Sequence, residues 1–171
     1  MLGDDCVSAA IRQVGLIEER LGYRAVEIDG FLVLVEDDPD LAESTEHASS
    51  DAAADLFRYR YRGLKGSLSG KRTILVRLIG EIEPRRKELE FVAKGFTNDL
   101  FFMVNSLNVR HNNSGVAKNG GRYSSVTEMS DDELEDWYDQ IHSTIAAVHL
   151  LLDYCDSKSV IESLKKKPCV D

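Results

Sequence analysis

Apolar residues recur at three- and four-residue steps through most of the chain after residue 51, and this spacing limits the fold more than any other feature. One stripe falls within residues 66–95 and consists of Ile74, Leu75, Leu78, Ile79 and Ile82. A second stripe, in the C-terminal part, consists of Trp137, Ile141, Ile145, Val148 and Leu152. Such periodicity is typical of amphipathic helices that pack side by side. The sequence therefore predicts a mainly α fold in which residues 51–157 form a helical bundle.

Local signals predict the helix boundaries in the first half of this bundle. Serine and aspartate residues at positions 49–51 fit the N-cap of a helix. Pro84 interrupts the first stripe, so it should either kink the helix or serve as the first residue of a new one. Gly95 is expected to end that element, and Thr97 is expected to cap the helix that follows.

The second half of the chain carries an equally local signal for its long helix. Ser130 and Glu133 have the spacing of a capping box. The residues before them, 112–129, are rich in glycine, asparagine and serine and predict a loop, and residues 158–171 read as a lysine-rich tail. The full length of 171 residues is typical of one domain, so residues 1–171 are predicted to form a single domain.

The N-terminal part, residues 1–50, has a different pattern. Residues 4–22 have the apolar spacing of an amphipathic helix, with Gly22 just past its end. Asp29-Gly30 separates two runs of β-branched residues and predicts a small β-hairpin with a type I′ turn. The acidic segment 36–51 is expected to be a mobile linker with one short turn of helix at most.

The composition is that of an ordinary globular chain, with 43% hydrophobic and 30% charged residues. No stretch approaches the roughly 18 apolar residues of a membrane span, and Asp4 and Asp5 occupy positions where a signal peptide needs lysines. We therefore expect a cytoplasmic protein without a membrane partner. Cys6, Cys155 and Cys169 form no metal-type pair, so they are expected to be reduced thiols, and no metal or cofactor is predicted.

The net charge of −9 is distributed very unevenly along the chain. Residues 57–125 hold 14 basic and 5 acidic side chains, whereas residues 1–56 hold 3 basic and 14 acidic ones and residues 126–171 hold 4 basic and 11 acidic ones. A basic middle segment can form a surface that binds nucleic acid even on an acidic protein. It can equally pair internally with the acidic ends, and both interpretations remain open.

Two weaker patterns give no site. The stretch "GLKGSLSGKR" has Lys65 where a phosphate-binding loop needs glycine, so it is interpreted as a connection between helices. His142 and His149 lie two turns apart on the last helix, and two histidines alone do not supply the three or four ligands of a zinc site. Side-chain packing or exposure is the better interpretation for both.

A polar cluster follows the apolar run "LFFMV" at positions 100–104 and is the strongest candidate for a site. If residues 100–112 continue as one helix, His111 projects onto the apolar side, and Asn105, Asn108 and Asn112 form a neighbouring strip. Buried polar groups require hydrogen-bond partners or access to solvent. The cluster is therefore either a structural network or a solvent-reaching site in which imidazole, guanidinium and amide groups act together.

The sequence around this cluster resembles a known group of proteins. "IEPRRKELEFVAKGFTNDLFFMVNSLNVRHNN" and the later "MSDDELEDWYDQIHSTIAAVHLLLDY" are similar to small helical proteins of bacterial abortive-infection, or phage-defence, systems, which look like divergent members of the HEPN class. The resemblance covers about residues 70–155. The matching positions of the signature are Asn105, Leu107, Asn108, Arg110, His111, Asn112 and Asn113, with Tyr138 on the tyrosine-bearing helix.

The resemblance implies a helical bundle, often a homodimer, and in many HEPN members a metal-independent RNase. Those enzymes use an arginine followed a few residues later by a histidine. Here Arg110 and His111 are adjacent, Asn105 occupies the position where that arginine is expected, and Ser106 replaces a frequent second asparagine.

Two functional hypotheses follow from the sequence. In the first, the protein is a phage-defence effector that binds or cleaves RNA: His111 acts as general acid and base, Arg110 stabilises the phosphorane, and Asn105 and Asn108 orient them. Backbone contacts to RNA would come from Arg58, Arg60, Arg62, Lys71 and Arg72. In the second, the protein is a non-enzymatic interaction module, and residues 105–113 are a buried structural network that includes Asn112 and Asn113.

Overall fold

The structure is a computed structural model that describes residues 12, 15–16, 20–28, 30–110 and 125–166, apart from the side chains of residues 125, 127 and 159. Of the predicted N-terminal helix, the few described residues before Gly22 are helical. Gly22 has a φ of 69°, which fits the predicted position just past a helix end.

An antiparallel hairpin follows, as the sequence predicts. Strand β1 covers Tyr23–Ile28 and strand β2 covers Phe31–Glu36, with Ile28 opposite Phe31. Gly30 in the connecting turn has a φ of 79°, which a glycine adopts without strain. One face of the hairpin contributes Ile28 and Val35 to the buried interior, whereas Leu32 on the other face is 76% exposed. The hairpin is confirmed.

The expectation of an irregular acidic linker at residues 36–51 is wrong. Helix α1 covers Pro39–Glu46, and Asp38 is its N-cap: the carboxylate accepts hydrogen bonds of 3.1 Å from the amides of Asp40 and Leu41. Proline is well suited to the first helical position. Leu41 is buried and packs in the core. The segment therefore forms a helix in spite of its charge, with Asp38 as the N-cap, Pro39 at the first position and Leu41 in contact with the core.

Helix α2 covers Ser50–Tyr59, and Ser49 is its N-cap, with the side-chain oxygen accepting from the Ala52 amide at 3.1 Å. A short 3₁₀ turn, Arg62–Leu64, connects it to helix α3. Tyr61, before this turn, forms an isolated antiparallel bridge with Val35 of β2. The hairpin is thereby tied to the helical body.

Helix α3 covers Leu68–Ile82, and helix α4 covers Arg86–Ser106. The predicted break at Pro84 is confirmed, because a 3₁₀ turn, Glu83–Arg85, separates the two helices. The predicted end at Gly95 is displaced by two residues, because α4 consists of two helical segments joined by a kink at Ala93. The backbone leaves helical geometry at Ala93 (φ −145°, ψ 57°), but α4 resumes, and the buried Thr97 hydroxyl donates to the Ala93 carbonyl at 3.0 Å instead of capping a new helix.

Helix α5, Asp131–Lys165, is the longest element at 35 residues, or about 52 Å. The predicted capping box is confirmed: the Ser130 amide donates to Glu133 at 2.8 Å, and the Glu133 amide donates to the Ser130 hydroxyl at 3.2 Å. Residues 158–165, in the segment predicted as a lysine-rich tail, are helical and continue α5.

The two predicted apolar stripes form the core. All five residues of the α3 stripe are buried, and so are the α5 residues Ile141, Ile145, Val148 and Leu152. Trp137 is wrong in this role, since it is 43% exposed, and its neighbours Leu134 and Tyr138 are buried instead. Helix α5 packs against α1, α3 and α4, which confirms a mainly α fold with a small N-terminal hairpin. Within the described ranges, no helix is both long and apolar enough to cross a bilayer.

Candidate functional site

The signature segment lies at the C-terminal end of α4. The helix ends at Ser106, with Leu107 as its C-cap, and Asn108 has a φ of 58°. Asparagine adopts this left-handed conformation more easily than most residues, and it often follows a helix end. A helical projection through residue 112 is therefore wrong beyond Leu107, and it no longer supports a buried position for His111.

The signature continues beyond the end of α4 into residues 111–113. Residues 111–124, including His111, Asn112 and Asn113, lie outside the described residues. Asn105 and Asn108 are half-buried, and both have interaction partners in the structure. Of the four predicted catalytic residues, Asn105, Asn108 and Arg110 lie within the described residues and His111 does not.

Arg72 of α3 binds the end of α4. Its Nε donates to the carbonyl oxygens of Asn108 at 2.5 Å and of Val109 at 3.2 Å. Val109 itself is fully buried. A guanidinium at a helix C-terminus meets carbonyl groups that lack helical partners, and its positive charge is favourable there. The predicted RNA contact at Arg72 is thus also a cap that fixes where α4 ends.

Arg110 binds the opposite end of the same helix pair. Its Nη1 lies 2.5 Å from Oε1 of Glu83, in the 3₁₀ turn between α3 and α4. Both side chains are partly exposed, so this ion pair contributes little to stability by itself. It nevertheless orients the guanidinium of Arg110 toward Glu83 in the helical part of the protein.

The predicted RNA contacts Lys71, Arg60 and Arg58 are paired internally. The Lys71 side chain is only 8% exposed, and its Nζ lies 2.6 Å from Asp139 and 2.8 Å from Glu135. These contacts join the basic middle of the chain to its acidic C-terminal part, as the second interpretation of the charge pattern requires.

Arg60 makes the corresponding link to the acidic N-terminal part. It lies 3.4 Å from Glu36 and 3.6 Å from Asp38. Arg58 binds the buried Asp55 at 2.9 Å. Arg62 is different, because its guanidinium lies 5.6 Å from the Tyr23 ring and pairs with no carboxylate among the described residues.

The carboxylate of Asp55 is the most enclosed acid of this network. Arg77 binds it with two hydrogen bonds of 2.6 and 2.7 Å, in addition to the contact from Arg58. Burial on its own raises the pKa of Asp55, but the hydrogen bonds from Arg77 and Arg58 outweigh it and hold the pKa below the ordinary value of 3.8. Asp55 is therefore a fixed anion that joins α2 to α3.

Tyr138, the predicted supporting residue, is 2% exposed. Burial raises the pKa of its hydroxyl, and the nearby positive charge of Arg72 opposes this change. The tyrosine-bearing helix thus contributes this side chain to the interior next to the α4 cap.

A partly buried polar cluster, which the sequence did not predict as a unit, lies between α2, α3 and α5. The Lys71 cluster consists of Tyr59, Lys71, Glu135, Asp139 and His142. The Tyr59 hydroxyl donates to Oδ1 of Asp139 at 2.8 Å, and Lys71 Nζ donates to the same oxygen. Burial, together with the adjacent Asp139 charge, raises the pKa of Tyr59. One signal in the sequence could have indicated this cluster. Lys71 lies three and four residues before Ile74 and Leu75, so it is on the apolar face of α3, and a lysine on such a face needs a partner.

His142 completes the cluster by stacking on Tyr59, with ring centroids 4.2 Å apart. Its Nε2 lies 3.0 Å from the Leu56 carbonyl, so Nε2 carries the proton and donates. Burial, reinforced by the charge of Arg60, lowers the pKa of His142 to about 3. His149 is buried as well, and burial lowers its pKa. The packing interpretation of these two histidines is confirmed.

A cleft of about 350 Å³ opens beside the Lys71 cluster. Its walls carry tyrosines and side chains of both charges; they include Tyr23, Tyr59, Tyr61, Arg60, Arg62, Lys65, Lys71, Glu36, Asp132, Glu135, Asp136 and Asp139. A hydrogen bond from Lys71 keeps the pKa of Glu135 below its ordinary value, and Asp139 already accepts from two donors. Lys71, Glu135 and Asp139, which line the cleft, are thus held by contacts with one another.

Within the described part of the chain, no group of three or more histidine, cysteine, aspartate or glutamate side chains is arranged to hold a metal ion. No protein-family model matches the sequence, and no curated protein and no solved structure matches it.

Proposed function

We propose that the protein is a non-enzymatic helical interaction module, in which residues 105–110 form a structural end to α4. The observation that carries the proposal is the contact of Arg72 with the carbonyl groups of Asn108 and Val109. Because Arg72 donates its Nε proton to these carbonyl groups, it cannot use that donor for a phosphate without breaking the end of the helix. The pairing of Arg110 with Glu83 supports the same interpretation.

The internal pairing of the basic segment gives further support. Lys71 is nearly inaccessible, and Arg60 contacts two carboxylates. To bind RNA phosphate, each of these cations would have to leave its carboxylate partners. If Lys71 left, the carboxylates of Glu135 and Asp139 would both lose their partner, which is unfavourable in a partly buried position. The charge asymmetry of the sequence then serves to hold the two acidic ends against the basic middle.

Arg72→Ala tests the structural role directly. The substitution should lower the free energy of unfolding by about 1–3 kcal/mol, because the carbonyl groups of Asn108 and Val109 lose a charged donor. Arg62→Ala is the matched control from the same basic segment, and it should change stability by less than about 0.5 kcal/mol. Urea unfolding followed by circular dichroism measures both. Equal stability of the two variants would contradict the assignment of Arg72 as a cap.

The same proposal predicts that the protein does not cleave RNA. Wild type and the Arg110→Ala/His111→Ala double variant should leave purified RNA equally intact and should have the same effect on cell growth when expressed. If wild type degrades RNA and the double variant, melting like wild type, does not, the non-enzymatic proposal is wrong.

We propose a phage-defence effector of HEPN-like type that binds or cleaves RNA as the second candidate. The observation in its favour is that Tyr61, Arg62 and Lys65 line the same cleft. Tyr61 is 43% exposed, Arg62 lies over the ring of Tyr23, and neither cation pairs with a carboxylate among the described residues. Stacking rings and nearby cations are the combination that binds single-stranded nucleic acid.

This second candidate has its own test. The Arg62→Ala/Lys65→Ala variant should bind single-stranded RNA more weakly than wild type, and the slope of log affinity against log salt should fall by about 1–2. Fluorescence anisotropy over a salt series measures this slope. Arg85→Ala is the control, since Arg85 is already paired with Glu88 and Asp156. Identical salt slopes for wild type and the double variant would remove this candidate.

A further inference from the structure

The outer edge of strand β2 has hydrogen-bonding groups that the hairpin does not use. Ile28 pairs with Phe31 across a two-residue turn, so alternate residues of β2 from Phe31 onward bond to β1. The N–H and C=O groups of Leu32, and the N–H of Leu34, therefore point away from β1. None of these groups has a backbone partner among the described residues outside the hairpin.

The same edge already accepts a short piece of a third strand. The Glu36 amide donates to the Arg60 carbonyl at 3.3 Å, and Val35 bridges Tyr61 in antiparallel fashion. The chain then turns away into the 3₁₀ turn that begins at Arg62. Among the described residues, the third strand stops beside Val35, and no backbone continues it along the edge from Phe31 to Leu34.

An apolar groove of about 370 Å³ lies next to this open edge. Its lining consists of Ile28, Phe31, Val33, Tyr61, Leu64 and Ile74, with Arg58 at one side. Phe31 is 73% exposed at the entrance. A strand placed along β2 would direct every second side chain into this groove, because successive side chains of a strand alternate between its two faces.

We infer that the open edge of β2 and the adjoining groove bind an extended, apolar peptide segment of a partner protein, which adds to the hairpin as a third strand. This inference rests on the proposed function as an interaction module and names its binding surface. Unpaired backbone groups in strand register select an extended peptide, and the groove selects apolar side chains at alternate positions.

A second copy of the chain fits this surface less well than a peptide. In an antiparallel pairing of two β2 edges centred on Val33, Phe31 of one copy would lie opposite Val35 of the other. Tyr61 already covers the edge at Val35. The register in which Leu32 of one copy lies opposite Leu34 of the other is therefore blocked by this bridge.

The experiment uses the full chain and a synthetic peptide of about seven residues in which threonine and valine alternate, with blocked ends. Heteronuclear NMR follows the backbone amides during titration. We expect the Leu32 and Leu34 amides to shift and to exchange more slowly with solvent. Leu32→Pro removes an outward N–H without removing a hairpin bond, and it should weaken binding by about tenfold or more.

Glu27→Pro is the matched control. Glu27 lies directly opposite Leu32 on β1, and its N–H points to the other edge of the hairpin, so this variant should bind the peptide like wild type. Circular dichroism of both variants checks that they fold. Two further peptides, N-methylated at alternate sets of amides, test the geometry without changing the protein: one should lose binding and the other should keep it.

Several outcomes would overturn the inference. They are binding that Leu32→Pro leaves unchanged, equal binding of the two N-methylated peptides, absence of binding at millimolar peptide, or concentration-dependent association of the protein alone through the Leu32 amide. The RNA assay above is independent of this titration. Cleavage of RNA would reject the non-enzymatic function even if the peptide binds, and failure of the peptide with inert RNA rejects only the binding surface.

Discussion

Acidification from pH 6.5 to pH 4.5 is expected to lower the free energy of unfolding by about 2–3 kcal/mol through His142 alone. Burial lowers the pKa of His142 from 6.5 to about 3 in the folded protein. Between these values the unfolded chain binds a proton that the folded protein does not bind. The contribution is therefore complete above pH 6.5 and is lost as the pH falls, by about 1.4 kcal/mol per pH unit.

In the range from pH 6.5 to pH 4.5, the loss of stability through the buried histidines can be distinguished from the loss through the acidic groups. The pKa values of Asp55 and Glu135 lie below their ordinary values of 3.8 and 4.5, so the stability that these carboxylates contribute is lost only at lower pH. His149 acts in the same direction as His142, since burial lowers its pKa too.

Urea unfolding at several pH values in this range measures the effect, and His142→Phe is the control that keeps a ring on Tyr59. The variant should show a distinctly shallower dependence on pH than wild type. Equal slopes for the two proteins would mean that His142 is not the neutral buried group that its surroundings require.

Asp139→Ala is expected to lower the free energy of unfolding by about 2–3 kcal/mol. The substitution leaves the buried Tyr59 hydroxyl without its acceptor and leaves Lys71 with Glu135 as its remaining carboxylate. Breaking a buried ion pair costs about 3–5 kcal/mol when one partner is removed. We expect less here, because the Asp139 side chain is itself 36% exposed and Glu135 stays in place.

Asp136→Ala is the matched control, because Asp136 lies on the same helix and is exposed, and it should change stability by less than about 0.5 kcal/mol. A double-mutant cycle with Lys71→Met isolates the pair. The coupling between Asp139 and Lys71 should exceed about 1 kcal/mol. In the Lys71→Met background no ammonium group needs a carboxylate, so Asp139→Ala should cost less there than in wild type. Additive effects in this cycle would show that the two side chains are not coupled.

The elements that the sequence predicts well are those whose signals are local. The capping box at Ser130 and Glu133 needs only a spacing of three residues, and the hairpin needs only Asp29-Gly30 between two β-branched runs. Pro84 likewise interrupts the helix at its own position in the sequence. Acidic composition misled the prediction for residues 36–51, where Asp38 and Pro39 form a cap and a first helical position that charge counting ignores.

The parts that the sequence does not predict depend on contacts between distant residues. The end of α4 is fixed by Arg72, 36 residues before Asn108, so the periodicity of α4 could not show where it stops. Trp137 and Tyr138 are adjacent on α5, and which one is buried depends on the neighbouring helices. The partners of Lys71 come from α5, and a helical projection of α3 alone gives no indication of them.

The Lys71 cluster also has a consequence for the order of folding. Tyr59 and Asp139 are 80 residues apart in the chain, and Leu56 and His142 are 86 residues apart. Contacts of this separation close large loops, and they slow folding relative to local helix formation. During synthesis α2 and α3 can form before α5 exists, but Tyr59 and Lys71 then still lack their partners on α5. The nascent chain therefore gains its fully packed state only after residue 142 has left the ribosome.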